Sequence, residues 1–236
     1  MSLGTAMVLA AGFGTRMGEL TRERPKPLLP VAGRALIDHA LDAAAEAGIR
    51  RAVVNLHYRG DQIGAHLAGR RAPEVVFSLE PEILDTGGGI ARALSLLGDG
   101  PFAVLNSDAV FIGPNPIRAL LAGWQPDRMD ALMLLVPIGR ARAYTRAGDF
   151  FLAADGATPV RRGEAASAPL VYAGAQILSP AALAGAPEGA FSLNLVWDRL
   201  IAAGRLAALA YRGDWVDVGT PQGLAEADRL LARPGA

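Results

Sequence analysis

The feature that most restricts the fold is an alternation of short apolar runs with helical periodicity through the first half of the chain. Residues 6–10 form an apolar run that ends at Gly12, the pattern of a buried strand entering a loop. Residues 36–47 place Leu36, Ile37, Ala40, Leu41, Ala44 and Ala45 at helical spacing, and Gly48 follows as a stop. A strand over 52–56, a short helix over 61–67, a strand over 75–79, a helix over 90–97 and a strand over 102–105 continue the series. A β-α-β-α-β-α-β order implies helices on both faces of a largely parallel sheet. The expected class is α/β: a single-domain, Rossmann-like three-layer sandwich with a mixed, mainly parallel sheet. In such sheets ligands sit outside the carboxyl ends of the strands.

The second half changes character. Residues 117–121 read as a helix, 131–136 as a strand, 150–153 and 158–161 as a hairpin about Asp155-Gly156, and 170–178 as a strand. Residues 193–203 read as an amphipathic helix closed by Gly204, and Thr220-Pro221 opens a last helix with a hydroxyl N-cap and proline at N1. Neither a linker nor an internal repeat divides the chain. Residues 1–236 therefore read as one domain with two continuous halves, about 1–112 and about 113–236. Whether the residues ahead of Met7, Ser2 and Leu3 among them, are native is left open.

Composition narrows the function classes. With 51% apolar residues and 23 basic against 23 acidic side chains, the chain can fill a large core but has no global attraction for nucleic acid or an anionic membrane. Phosphate recognition must be local. The absence of cysteine removes a disulfide scaffold, a thiolate zinc site and a cysteine nucleophile. No apolar run approaches about 18 residues and no leader pattern opens the chain, so a soluble cytoplasmic protein is expected. His39, His57 and His66 lack metal-ligand spacing; surface or capping roles are expected, with His57 open to a place beside a cleft. Trp124, Trp197 and Trp215 are too scattered for a base-stacking platform, so no nucleic-acid partner is expected.

The loop after the first strand is the most informative segment. In Leu9-Ala10-Ala11-Gly12-Phe13-Gly14-Thr15-Arg16-Met17, two glycines let the backbone pass close to a bulky anion, and successive N–H groups can form an anion-binding concavity. Arg16 can add a fork of donors to phosphate oxygens. Lys26 sits between Pro25 and Pro27, which restrict the local backbone. Alone, a G-x-G is as compatible with an ordinary turn. The dinucleotide fingerprint fails, since Gly18 is one position late and the second strand ends near Asn55-Leu56 without an acid; a Walker A loop lacks its GK[ST].

Ala10 to Met17, continued by Pro25-Lys26-Pro27-Leu28-Leu29-Pro30-Val31, resembles the signature loop of the sugar-1-phosphate nucleotidyltransferases. The resemblance implies the glycosyltransferase-A-like nucleotidyltransferase variant of the fold. It makes the first half nucleotide-binding and the second sugar-phosphate-binding. It further implies that the backbone of Leu9, Ala10, Ala11, Gly12, Gly14 and Thr15, with Arg16, holds the triphosphate, while Lys26 contacts the α-phosphate and the sugar phosphate.

Asp108, in Asn106-Ser107-Asp108 after a buried strand, and Asp217, in Trp215-Val216-Asp217, are each readable as caps. The resemblance makes them the pair that binds Mg2+, a hard cation that takes one or two carboxylates plus substrate oxygens. Ser107 departs from the glycine common there in relatives. Asn106 is expected at the nucleotide or at a metal-bound water.

Glu80-Pro81-Glu82-Ile83-Leu84-Asp85-Thr86-Gly87-Gly88-Gly89 places a glycine triplet at a helix start, where exposed backbone groups can read a base edge. Thr86, Gly87 and Gly88 are the candidates, and flexible packing is the alternative. This segment and the short chain resemble the bacterial N-acetylmuramate-1-phosphate uridylyltransferases more than the thymidylyltransferases. The heptose- and mannose-1-phosphate guanylyltransferases share the short architecture. For the sugar, Gly148, Asp149, Glu164, Tyr172, Gly174 and Asn194 resemble the sugar-facing positions, the glycines giving room for a ring; a surface role for Glu164 and a core role for Tyr172 stay open.

The expected reaction is Mg2+-dependent transfer of a nucleoside monophosphate from a nucleoside triphosphate to a sugar 1-phosphate, with Arg16, Lys26 and Asp108 as catalytic residues. The leading pair is UTP and N-acetylmuramate 1-phosphate, giving UDP-MurNAc in peptidoglycan recycling. The alternatives are guanylyl transfer to a mannose or heptose phosphate and, more distantly, a non-catalytic nucleotide-sugar sensor. A monomer or weak dimer without membrane partners is expected.

Overall fold

The structure is a computed structural model that describes residues 3–232. Ser2 and the outermost residues of the expected 1–236 domain lie outside the described residues. The chain runs β1 (Thr5–Leu9), β2 (Pro30–Val31), β3 (Arg34–Ala35), α1 (Leu36–Glu46), β4 (Arg51–Leu56), α2 (Gly60–Leu67), β5 (Glu74–Leu79), α3 (Asp85–Leu97) and β6 (Phe102–Asn106). It continues through β7 (Ala109–Ile112), α4 (Pro116–Gly123), β8 (Ala131–Pro137), β9 (Ala141–Arg142), β10 (Phe150–Leu152), β11 (Pro159–Arg161) and β12 (Leu170–Leu178). The last elements are α5 (Asn194–Ala202), β13 (Leu206–Ala210), β14 (Asp214–Asp217) and α6 (Pro221–Leu231).

Nine strands form the main sheet. β5, β4, β1 and β6 pair in parallel. β12 is antiparallel to both β6 and β8, and β13 is parallel to β8. Strands β6, β8 and β13 therefore point the same way, and β12 is the reversed strand between them. The sheet is mixed and mainly parallel, as the alternation implies.

Side-chain alternation along the strands explains the three layers. Ala6 and Val8 face one side of β1 and pack with Ile37 and Leu41 of α1, Ile63 of α2 and Ile117 of α4. Met7, between them, faces the other side and packs with Ile90 and Ala93 of α3 and Leu200 of α5. Met7, Ile37, Ile63 and Ile90 are essentially inaccessible.

The second half holds more strand than its sequence suggests. β7, β9 and β14 form a separate small sheet, and α6 packs on it through Ala227 against Met17, Val110 and Val216. The Trp215 to Asp217 segment is thus a strand rather than only the lead-in to the last helix. Thr220 does cap that helix, accepting from Gly223 N–H at 3.2 Å, with proline in its first turn. No helix among the described residues is long and apolar enough to cross a membrane.

Candidate active site

β1 hands the chain to the Gly12–Gly14 loop at its carboxyl end, beside the end of β6: Ser107 N–H donates to Leu9 O at 3.1 Å. Ala10 N–H donates to Asn55 Oδ1 at 2.8 Å, anchoring the loop to β4. Gly14 has φ 65°, and a Cβ there would lie 2.9 Å from the Cβ of Lys26, so the turn and the lysine fit only around glycine. Among the described residues no protein group accepts the N–H groups of residues 11–14. Unpaired amides facing a cleft from consecutive residues make an anion-binding concavity.

Asp108 occupies the turn from β6 into β7. In the register of the small sheet Asp217 pairs with Ala109, which places the two aspartates at adjacent positions across two strands. Both carboxylates are partly accessible and each already has a cation. Lys26 Nζ, on a largely buried side chain, bonds Asp108 Oδ2, and Arg146 Nη2 lies 3.4 Å from Asp217 Oδ2. Gly219 lies beneath Asp217 and Arg16: a Cβ there would sit 2.9 Å from Asp217 Oδ1 and 2.8 Å from Arg16 Nη1. Arg16 has no carboxylate partner among the described residues, so its charge faces the cleft uncompensated.

The donor set fits a hard divalent cation. Two accessible carboxylates leave most coordination positions to water and phosphate oxygens, as Mg2+ prefers. Among the described residues there is no group of three or more acidic or histidine side chains that would make a closed protein cage.

Gly223, in the first turn of α6, was not singled out by its sequence, yet a Cβ there would collide with the backbone carbonyl of Asp217. Gly223→Ala is expected to lower the melting temperature by roughly 4–10 °C and to reduce kcat by displacing Asp217. Thermal unfolding and steady-state kinetics check both; unchanged values would mean that α6 yields without moving the aspartate.

A cleft follows from these elements in two joined lobes. The first, about 500 Å3, is lined by Leu9, Ala10, Ala11, Gly12, Gly14, Thr15, Arg16, Lys26, Thr86, Asn106 and Asp108. The expected contribution of Gly87 and Gly88 is corrected. Both are buried, their N–H groups donate to Phe191 O at 3.0 and 3.1 Å, and a Cβ on either would strike the Phe191 ring or the Gly189 carbonyl. The triplet lets α3 approach the segment before α5, and its amides are not free to read a base. Asp85, held at φ 58°, and Thr86 face the cleft instead.

Sequence reasoning missed Asn55 and Glu80, which also line this lobe. Both are almost wholly buried; Asn55 Nδ2 donates to Glu80 Oε1 at 2.7 Å and Leu84 N–H to Oε2 at 3.3 Å. The only signal was a polar residue ending each of two apolar strands. His57 does not line the lobe; its Nδ1 lies 2.8 Å from Glu80 O and braces the same segment.

The second lobe, about 530 Å3, shares Arg16, Asp85, Thr86, Asn106 and Asp108 with the first, so the two meet at Asp108. It opens where β12 changes neighbours. β8 pairs with one edge of β12 on both sides of a bulge between Tyr172 and Gln176, while the other edge is taken by β10 at Leu170 and by β6 from Ala175 onward. In that gap Asp149 Oδ2 accepts from Tyr172 N–H at 3.1 Å in place of a strand partner.

Gly148, Asp149, Tyr172, Gly174, Asn194 and Asp217 line this lobe, and Glu164 does not. Glu164 is exposed on the turn after β11, so its expected sugar contact is corrected to a solvated position. The glycines are also corrected in their reason. A Cβ on Gly148 would strike the Ala168 carbonyl, and one on Gly174 (φ 76°) would lie 2.9 to 3.0 Å from the Asn106 side chain. They make room for the protein's own groups rather than for a ring. Tyr172 and Trp197 pack edge to face with ring centroids 4.6 Å apart, and Tyr172 Oη accepts from Gln176 Nε2 at 3.0 Å; burial pushes its phenol well up, so it stays neutral. Arginines 146, 161 and 162 line the lobe as well.

The profile of the MobA-like NTP transferase domain matches residues 6–191. The chain is 46% identical over 235 residues to an N-acetylmuramate alpha-1-phosphate uridylyltransferase of Caulobacter vibrioides, covering 96% of each. It is 35% identical to one of Neisseria meningitidis serogroup B, covering 95% of this chain and 97% of that one. Among solved structures, a UDP-glucose pyrophosphorylase complexed with UDP-glucose superposes with a TM-score of 0.78 at 20% identity over 97% of this chain and 98% of that one, a likeness of fold.

Proposed function

The chain belongs to the MobA-like NTP transferase family, and on that premise we propose that it transfers UMP from UTP to N-acetylmuramate 1-phosphate and releases pyrophosphate. The observation that carries this reading is the two-lobed cleft whose lobes meet at Asp108. One lobe presents free amides and Arg16 to a triphosphate, and the other has space for an acceptor. The 46% identity to the Caulobacter uridylyltransferase supports the choice of base and sugar.

In the proposed reaction an oxygen of the sugar phosphate attacks the α-phosphorus of UTP. A P–O–P bond forms, the bond from the α-phosphorus to the bridging oxygen of pyrophosphate breaks, and pyrophosphate carries the charge away. The nucleophile is already an anion and needs no general base. The work of the chain is therefore positioning and charge compensation. The amides of residues 11–14 and Arg16 hold the β- and γ-phosphates, and Lys26 turns toward the α-phosphate. Asp108 and Asp217 would hold Mg2+, which supplies charge neutralisation to the phosphates.

Thr86 Oγ1 accepts from Leu193 N–H at 3.0 Å, which leaves its own O–H to donate to a carbonyl oxygen of the base. We place the enzyme in the cytoplasm, where UTP is, as a monomer or weak dimer.

A pyrophosphate-release screen of UTP, GTP, CTP and dTTP against a panel of sugar 1-phosphates tests the specificity. UTP with N-acetylmuramate 1-phosphate is expected to give the highest kcat/KM. A higher value for GTP with a mannose or heptose phosphate would overturn the assignment.

A further inference from the structure

Four arginines, Arg16, Arg146, Arg161 and Arg162, line the acceptor lobe beside Asp85, Asp108, Asp149 and Asp217. Of the arginines that line it, Arg146 is paired with Asp217. Arg161 is also spoken for: Nε bonds Asp198 Oδ1 at 2.8 Å, Nη1 bonds Asn194 Oδ1 at 2.8 Å, and the guanidinium stacks 4.9 Å over Phe150 and 5.4 Å over Trp197. Arg16 belongs to the triphosphate loop.

Arg162 differs from all of these. Its Nε donates to Gly148 O at 3.0 Å and its Nη1 to Ala165 O at 2.7 Å, so two backbone carbonyls fix the guanidinium. Among the described residues no carboxylate lies within ion-pair distance of it. Nη2 has no protein acceptor among them. The side chain is half-buried, lines the lobe, and is oriented without being neutralised. A half-buried, oriented and uncompensated guanidinium is costly unless an anion completes it, and the natural complement of its fork is a planar carboxylate.

Resting on the reading that the acceptor is a muramate, we propose that Arg162 binds the lactyl carboxylate, the group that distinguishes that sugar from N-acetylglucosamine. Phosphate is held at the Asp108 end of the lobe and the carboxylate at the Arg162 end. An acceptor with anions at both ends is then fixed in one orientation, with its phosphate at the α-phosphorus. Gly148 takes on a second role here, since its carbonyl aims the arginine.

The test is kcat/KM for N-acetylmuramate 1-phosphate and for N-acetylglucosamine 1-phosphate, with UTP saturating, in the wild type, Arg162→Gln and Arg162→Lys. The ratio of the two values is the readout, because general damage to the loop lowers both. Arg162→Gln keeps a donor for Gly148 O without the charge; the ratio is expected to fall about 10- to 100-fold, mostly through KM for the muramate. Arg162→Lys restores charge without the fork and should recover part of the loss. An unchanged ratio in Arg162→Gln, or equal losses on both acceptors, overturns the proposal and leaves the muramate reading standing. A wild type that uses UTP with N-acetylglucosamine 1-phosphate and ignores the muramate overturns both.

Discussion

Asp108→Asn is expected to lower kcat by about a thousandfold or more while leaving the fold intact. The amide keeps the shape of the carboxylate, so β6 and β7 should still turn at the same place. What disappears is one of the two negative charges that the small sheet sets side by side. Lys26 also loses its counter-ion. Because that pair opens onto the cleft, water can reach the lysine, and the loss of melting temperature should be a few degrees rather than a collapse. Kinetics at a series of Mg2+ concentrations, with a thermal melt alongside, checks it. Near-normal turnover at ordinary Mg2+ would remove Asp108 from the metal assignment.

Lys26→Met carries the second largest expected effect, a fall in kcat/KM of about 100- to 1000-fold. Methionine fills the stem's volume between Gly14 and the cleft without the ammonium. The lysine is buried along most of its length, fixed by Pro25 and Pro27, and its ammonium already touches Asp108 at the junction of the two lobes. A cation held there can pass from the aspartate to the α-phosphate with only a small movement. Both KM for UTP and kcat should worsen, and single-turnover kinetics separates the two. Unchanged kinetics would make Lys26 only a counter-ion to Asp108.

The parts of the account that were legible in the sequence share one property: their signal is local. The β1 run and its glycine loop announce a strand ending at a ligand, and glycine at position 14 is demanded by a positive φ and a lysine Cβ at 2.9 Å. The alternation of strand and helix carried the sheet, including its dominant direction. The misreadings arose where the deciding partner is distant along the chain. Gly87 and Gly88 resemble a base-reading loop until Phe191 takes their amides. Gly148 resembles a gap for a sugar until Ala168 fills it.

Asn55 and Glu80 looked like strand ends because their hydrogen bond joins β4 to the segment after β5. Arg162 drew no notice because its anchors are backbone carbonyls, which no side-chain pattern records. β14 is four residues long and one turn ahead of a strongly marked helix start, so its pairing with β7, which puts Asp217 beside Asp108, was visible only in three dimensions.

The central claim is that the α-phosphoryl group of UTP moves to the phosphate of the sugar. The direct measurement is the fate of label from UTP carrying phosphorus-32 at either the α- or the γ-position, incubated with N-acetylmuramate 1-phosphate and Mg2+. The account predicts that α-label appears in a UDP-sugar and γ-label in pyrophosphate, in equal amounts and only when the sugar phosphate is present. Label passing from the γ-position to the sugar, or pyrophosphate forming without an acceptor, would contradict it.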